Sequence, residues 1–352
     1  MSEAASPDDE FSGTKPVEEY LRIDEGNLDA WMKANVEGYK GPLSVRQFRG
    51  GQSNPTYQLD TPTGSYVLRR KPFGKLLPSA HAVDREFRVI AALRNQGFPV
   101  PRAYALCQND SVIGAAFYIM SMEKGRVFWG QTLPNVTRNE RRPIYVSKIQ
   151  MLAKLHTFDP EKIGLGDFGK PGNYFARQVD RWSKQYRASE TQHIPEMEQL
   201  IEWLPKTLPT QERVSIVHGD YRLDNMIFHV TEPRVVAVLD WELSTLGDPM
   251  ADFTYLLMQW IMPGLADADL AALNIPSMEE AGQIYRNCTG TELPNLDWYF
   301  AYSLFRLACI MQGIAGRVRD GTAASTQAVE AAKRTAPMAR VSWEYAQKAG
   351  AG

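Results

Sequence analysis

Apolar and polar positions alternate over short stretches in the first third of the chain. Over most of the remainder the apolar positions recur every three or four residues. After a short helical pattern at 27–36, residues 44–59 read as a strand, a Gly-containing turn and a second strand. Residues 65–71 read as a third strand, preceded by the turn Thr61-Pro62-Thr63-Gly64. A helix over 82–95 is ended by Gly97-Phe98-Pro99. Phe117-Tyr118-Ile119-Met120 is a further apolar strand, and 121–125 reads as a linker. Helical periods then cover 138–157, 174–187, 196–204, 248–261, 278–288, 298–315 and 323–346. Two short β-branched runs, 214–217 and 235–239, interrupt them and suggest an embedded hairpin. Strands come first and helices follow, so the pattern predicts an α+β chain of two lobes. The expected boundaries are a disordered tail at 1–20, a small antiparallel-sheet lobe at 21–122 and a mainly helical lobe at 123–352.

Composition narrows the function classes. A chain of 352 residues suits two lobes better than one core. The net charge of −2 provides no basic excess for a nucleic-acid backbone. The strongly apolar stretch at 253–263 is too short to span a bilayer. Cys107, Cys288 and Cys309 are odd in number and far apart, which argues against disulfides or a thiolate zinc site. The polar, acidic start lacks the features of a signal peptide, so a cytoplasmic location is expected. The expected partner is a small molecule rather than nucleic acid or membrane.

The chemistry concentrates in His218-Gly219-Asp220-Tyr221-Arg222-Leu223-Asp224-Asn225, followed fifteen residues later by Asp240-Trp241-Glu242. Phosphoryl transfer from ATP needs a carboxylate near the attacking hydroxyl, plus an amide oxygen and a second carboxylate to hold Mg²⁺. Asp220, Asn225 and Asp240 offer those groups in that order, each just past an apolar strand. A lone Asp in a turn is usually a turn former, and Asn225 alone a cap. Their joint occurrence carries the reading. His218 is expected to brace the loop, and Asp248, ahead of Pro249, to cap a helix, with Asp252 holding the loops in place.

In the first lobe, Gly50-Gly51-Gln52-Ser53-Asn54 can bring backbone N–H groups to phosphates, with polar contacts from Ser53 and Asn54. The same residues also make an ordinary hairpin turn. Arg69 would neutralise phosphates and pair with Glu86, although Arg70 or Lys71 could take that place, since alternate strand residues face opposite ways. Trp182, like other aromatic residues on helices, reads as core. Arg306 lies inside an apolar helix and must find a partner, either a buried acid or an anionic substrate. Candidate acceptor contacts are Arg222, Trp182 and Arg306.

These motifs resemble the aminoglycoside phosphotransferase-like, or choline kinase-like, superfamily of small-molecule kinases, from about residue 43 to 320. Within it, the chain is similar to the kinase-like domain fused in animals to acyl-CoA dehydrogenase modules. That closer likeness rests on residues 67–72, 177–186 and Phe305-Arg306-Leu307-Ala308 with Gln312-Gly313. The resemblance implies a bilobal protein-kinase-like fold and an ATP- and Mg²⁺-dependent transfer to an alcohol group. It implies Asp220 as catalytic residue, Asn225 and Asp240 as metal ligands, and Arg69 with Glu86 at the phosphates. It further implies Ser121, Met122 and Glu123 as the adenine hinge, and a hydroxyacyl-CoA or related acid as acceptor. Arg69 stands where protein kinases have Lys. An aminoglycoside or other antibiotic kinase is the alternative, and a non-catalytic nucleotide-binding module a second one. A polycationic antibiotic calls for an acidic cleft, and Arg306, Arg317 and Arg319 argue against one.

Overall fold

Side-chain parity along one strand decides how the first lobe is built. In the computed structural model, which describes residues 13–49, 54–73, 82–170, 172–321 and 326–352, β4 (Gly64–Arg70) is an inner strand. It lies in a sheet with β1 (Thr14–Lys15), β2 (Ser44–Phe48), β3 (Thr56–Thr61), β5 (Ala103–Cys107) and β6 (Phe117–Ser121). The order is β1-β2-β3-β4-β6-β5, antiparallel throughout. Leu68 packs with Tyr57, Leu59, Phe117 and Ile119 on the face covered by helix Glu25–Asn35. Leu28 and Met32 of that helix are fully buried, each contributing about 2 kcal/mol. Val67 packs on the other face, against Val83, Val89, Ile90 and Leu93 of helix Val83–Asn95. Period-two alternation therefore sends Arg69 to that second side and Arg70 to the first. There the Arg70 Nε donates to the Tyr57 hydroxyl (3.0 Å), and the guanidinium lies over the Phe73 ring.

Two features of the first lobe depart from expectation. The tail read as disordered through residue 20 joins the sheet at Thr14, where Thr14 and Lys15 pair with Phe48 and Gln47. This covers an otherwise open edge of β2, whose unpaired backbone groups would need partners. Strand β5 was not legible because Ala-Tyr-Ala-Leu-Cys has no β-branched residue; it is held by its ladder to β6.

The second lobe is mainly helical. Helix Asp297–Arg319 packs against helices Tyr174–Ser189 and Thr335–Lys348, and helix Arg138–Thr157 against Met278–Thr289. The last helical stretch is split, with Thr326–Ala332 separate from Thr335–Lys348. Pro337 lies in the first turn of the later helix, the position where proline is best tolerated. The two β-branched runs are strands, but they do not pair with each other. β7 (Ser215–Val217) pairs with β10 (Thr245–Gly247), and β8 (Met226–Phe228) pairs with β9 (Val235–Val238). Phe98 meets Trp241 and Phe158 edge-on at 6.1 and 6.0 Å, joining the lobes. Among the described residues no helix is long and apolar enough to cross a membrane.

One buried charge has a measurable consequence. Lys148 is fully buried, and its ammonium donates to Gln259 Oε1 (2.9 Å). Burial pushes its pKa down from 10.5 to about 7. Between those values the unfolded chain binds the proton that the folded chain has lost, so stability rises with pH. Lys148→Met should remove an increment of about 2 kcal/mol between pH 7 and 9. Urea denaturation of both proteins at the two pH values measures this; equal pH dependence would contradict it.

Candidate functional site

β7 is wholly buried and carries the chain into a tight loop at Gly219. Gly219 has φ of +88°, and a Cβ there would lie 2.9 Å from the Leu243 carbonyl oxygen, so only glycine fits. The turn presents Asp220. The Tyr255 hydroxyl donates to Asp220 Oδ1 (2.7 Å), and Asn225 Nδ2 donates to Oδ2 (3.0 Å). Arg222 Nε lies 3.1 Å from Oδ1, and its Nη2 lies 3.1 Å from Asp224. Burial and the neighbouring carboxylate raise the Tyr255 pKa, so the phenol keeps its proton and donates it as a hydrogen bond. Asn225 spends its amide N–H groups on the Asp220 carbonyl and carboxylate, which turns Oδ1 away from both.

β9 delivers Asp240 in the same neighbourhood. His218 is buried, accepts from the Asp220 N–H at Nδ1 (3.2 Å) and places Nε2 2.8 Å from the Leu239 carbonyl. The Leu239 N–H donates to the Asn225 carbonyl (2.8 Å). These bonds stitch the Asp220 loop to the Asp240 loop, the bracing role expected of His218. Asp252 completes the brace by accepting from the His218 and Gly219 N–H groups. Burial alone would raise its pKa. His156, at 3.5 Å, His218 and the Gly219 N–H together hold it below the ordinary carboxylate value. Asp248 accepts from the Met250 N–H (2.9 Å) at the start of helix Met250–Leu257, as a cap does. Asp240 itself has φ of 63°, a left-handed backbone that costs a non-glycine residue about 1 kcal/mol or more.

Arg69 is the hub on the sheet side. Its Nε lies 3.0 Å from Glu86, and its Nη2 lies 2.6 Å from Asp240 and 3.2 Å from Glu242. The three carboxylates outweigh burial and raise the Arg69 pKa, so it stays charged. Glu86 is pushed up to about 7, by burial first and by Asp240 and Glu242 as well, against the pull of Arg69. The two shifts have one cause. A single guanidinium cannot neutralise three acids, and the excess negative charge weighs most on the most buried of them. Tyr118 also donates to Glu86 (3.1 Å).

The other expected residues fall as follows. Gly50, Gly51 and Ser53 lie outside the described residues. Asn54, expected near phosphates, is buried and donates to Glu86 (3.0 Å) and Glu242 (3.4 Å), so it ties the acid cluster together. Ser121 ends β6, and its hydroxyl bridges the Arg102 N–H and Glu123. Met122 packs on the core at the crossing between the lobes. Arg306 donates to the Gly219 carbonyl (2.6 Å), with its guanidinium carbon 5.6 Å from the Trp182 ring centre and 5.3 Å from that of Tyr255. Sequence reasoning gave no role to Glu242, Tyr255 or Lys148. For Tyr255 a signal existed, since it lies three residues after Asp252 on one helix face.

The arrangement can hold a hydroxyl hydrogen at Asp220 and offer oxygen donors at Asn225 and Asp240 to a hard cation. Residues 44–283 match the family described as "Phosphotransferase enzyme family". A crystal structure of a Ralstonia eutropha JMP134 protein assigned as an aminoglycoside phosphotransferase is 52% identical, with a TM-score of 0.86 over 93% of this chain and 99% of that one. Acyl-CoA dehydrogenase family member 10 of Mus musculus is 44% identical over 96% of this chain. The chain spans about a third to just under half the length of the curated relatives it matches. A thermostable mutant of aminoglycoside phosphotransferase APH(4)-Ia, solved with AMP-PNP and hygromycin B, is 16% identical. Its TM-score of 0.60, over 93% of this chain and 99% of that one, shows a shared fold.

Proposed function

Because the chain belongs to the phosphotransferase enzyme family, we propose that it transfers the terminal phosphoryl group of ATP to a hydroxyl of a small molecule. One observation carries the reading most directly. The Asp220 carboxylate is fixed from both sides by Tyr255 and Asn225, in a loop stitched through His218 to the one bearing Asp240. In this reading the acceptor hydroxyl oxygen attacks the terminal phosphorus, the bridging oxygen leaves with ADP, and Asp220 takes the hydroxyl hydrogen. The transition state is loose, so orienting that hydroxyl contributes more than removing its proton.

The residues present fit Mg²⁺. Asn225 and Asp240 are hard oxygen donors, and the acids around Arg69 outnumber their one guanidinium. Bound there, the ion would supply charge compensation on the phosphates. Arg69 holds the acid cluster in place and would give its remaining donors to phosphate. Ser121, Met122 and Glu123 would line the adenine end.

For the acceptor, the reading favours a hydroxylated acid or its CoA thioester. Two arginines, Arg222 and Arg306, stand next to the Asp220 loop, and curated relatives carry acyl-CoA dehydrogenase names. A polycationic aminoglycoside would meet those same charges unfavourably. Incubation with ATP, Mg²⁺ and parallel panels of hydroxy acids, hydroxyacyl-CoAs and aminoglycosides, followed by ADP release, tests this. Acceptor-dependent ADP from the first two panels is expected; release with aminoglycosides alone would overturn the acceptor class.

A further inference from the structure

Beside the Asp220 loop, two side chains carry buried donors with no partner among the described residues. They are the Arg306 Nε–H and the Trp182 Nε1–H. Both residues are more than nine-tenths buried. The Arg306 guanidinium carbon lies 5.6 Å from the Trp182 ring centre, so the two orphaned groups share one neighbourhood. It is next to the reacting position: Arg306 Nη2 donates to the Gly219 carbonyl (2.6 Å), and Tyr255, whose hydroxyl holds Asp220, lies under the same guanidinium. No described acid forms an ion pair with Arg306. A buried guanidinium N–H and an indole N–H, each without an acceptor, cost free energy unless something fills the gap.

Resting on the phosphotransferase reading, we propose that Arg306 and Trp182 form the subsite that anchors the acceptor. There the two N–H groups donate to an acyl oxygen, a carboxylate or a thioester carbonyl, carried by the molecule whose hydroxyl reaches Asp220. The chemistry selects this class. Arg and Trp side chains can only donate, so their partner must be an acceptor, and the fixed positive charge favours an oxygen bearing full or partial negative charge. An ammonium group would offer no lone pair and would meet the guanidinium as a like charge. Arg306 already lies over the Trp182 and Tyr255 rings, so a second cation there would meet it as a like charge.

Calorimetric binding in the presence of ADP and Mg²⁺ tests the subsite without requiring turnover. The probes are 3-hydroxybutyrate, its CoA thioester and 1,3-butanediol, which has the hydroxyl but no acyl oxygen. Trp182→Phe removes the N–H and keeps most of the ring; Arg306→Lys keeps the charge and loses Nε. Each variant should weaken the acid or the thioester by about tenfold, leaving ADP affinity and the weaker binding of the diol unchanged. The larger loss identifies the source, a carboxylate if the acid suffers and a carbonyl if the thioester does. Equal binding of all three probes, equal losses for the diol, or no binding of acid or thioester overturns the subsite. Failure of the phosphotransferase reading is distinguishable: the same binding pattern would persist while no phosphate moves.

Discussion

Asp220→Asn should lower turnover by about 10³-fold, while affinity for ADP with Mg²⁺ should change by less than about threefold. The substitution keeps the shape of the side chain and an oxygen able to accept from the Tyr255 hydroxyl. What it removes is the negative charge proposed to orient and finally take the hydroxyl hydrogen. It also sets an amide against the Asn225 N–H groups, which now donate to Asp220, so the variant should lose a few degrees of thermal stability at most. Steady-state kinetics with the best acceptor, nucleotide calorimetry and a melting curve separate these effects. Turnover within about threefold of wild type would remove Asp220 from the chemistry.

Arg69→Met should be the most destabilising change at the site. Glu86 is 1% exposed and would be left beside Asp240 and Glu242 with no cation. Removing one partner of a buried ion pair typically costs about 3–5 kcal/mol. Without the pull of Arg69 the Glu86 pKa should rise above the value of about 7 it has beside it, so the cost should shrink as pH falls toward 7. A protonated Glu86 leaves no bare charge in the core, so the variant recovers stability in acid relative to wild type. Adding Glu86→Gln should restore part of the loss at neutral pH, a coupling that a double-mutant cycle reads directly. Arg69→Lys keeps a charge but not the fork that spans three acids, so it should fold well and bind ATP more weakly. Denaturation of wild type, Arg69→Met, Glu86→Gln, the double variant and Arg69→Lys at pH 5.5 and 8 measures these differences. A pH-independent loss in Arg69→Met would contradict the electrostatic account of this hub.

The parts of the site that could be read from the sequence are those fixed by local order. Asp220 and Asp240 each follow a short apolar strand, and Asn225 lies in the turn just after Asp220, so type, spacing and context agree within one stretch of chain. Arg69, Arg70 and Lys71 could not be told apart, because parity gives the alternation and not which face is covered. The helices Glu25–Asn35 and Val83–Asn95 settle that by taking opposite faces of the sheet. Asn54 illustrates a harder limit. Its bond to Glu242 joins residues 188 apart, and no pattern within a strand or turn encodes such a contact. The same holds for Tyr255 on Asp220 and Arg306 on Gly219. Strands β8 and β10, each three residues long, are too short to show a period and exist because neighbouring loops present partners.

In the proposed reaction, phosphate passes from ATP to a hydroxyl held at Asp220. Following labelled terminal phosphate from ATP tests it most directly, with hydroxy acids and hydroxyacyl-CoAs supplied together, Mg²⁺ present or chelated, and wild type beside Asp220→Asn. The expected result is label on the acceptor hydroxyl with wild type and Mg²⁺, and loss of that product when either the ion or the Asp220 carboxylate is removed. Label that stays in ATP, passes only to water, or reaches the acceptor equally in Asp220→Asn would contradict it.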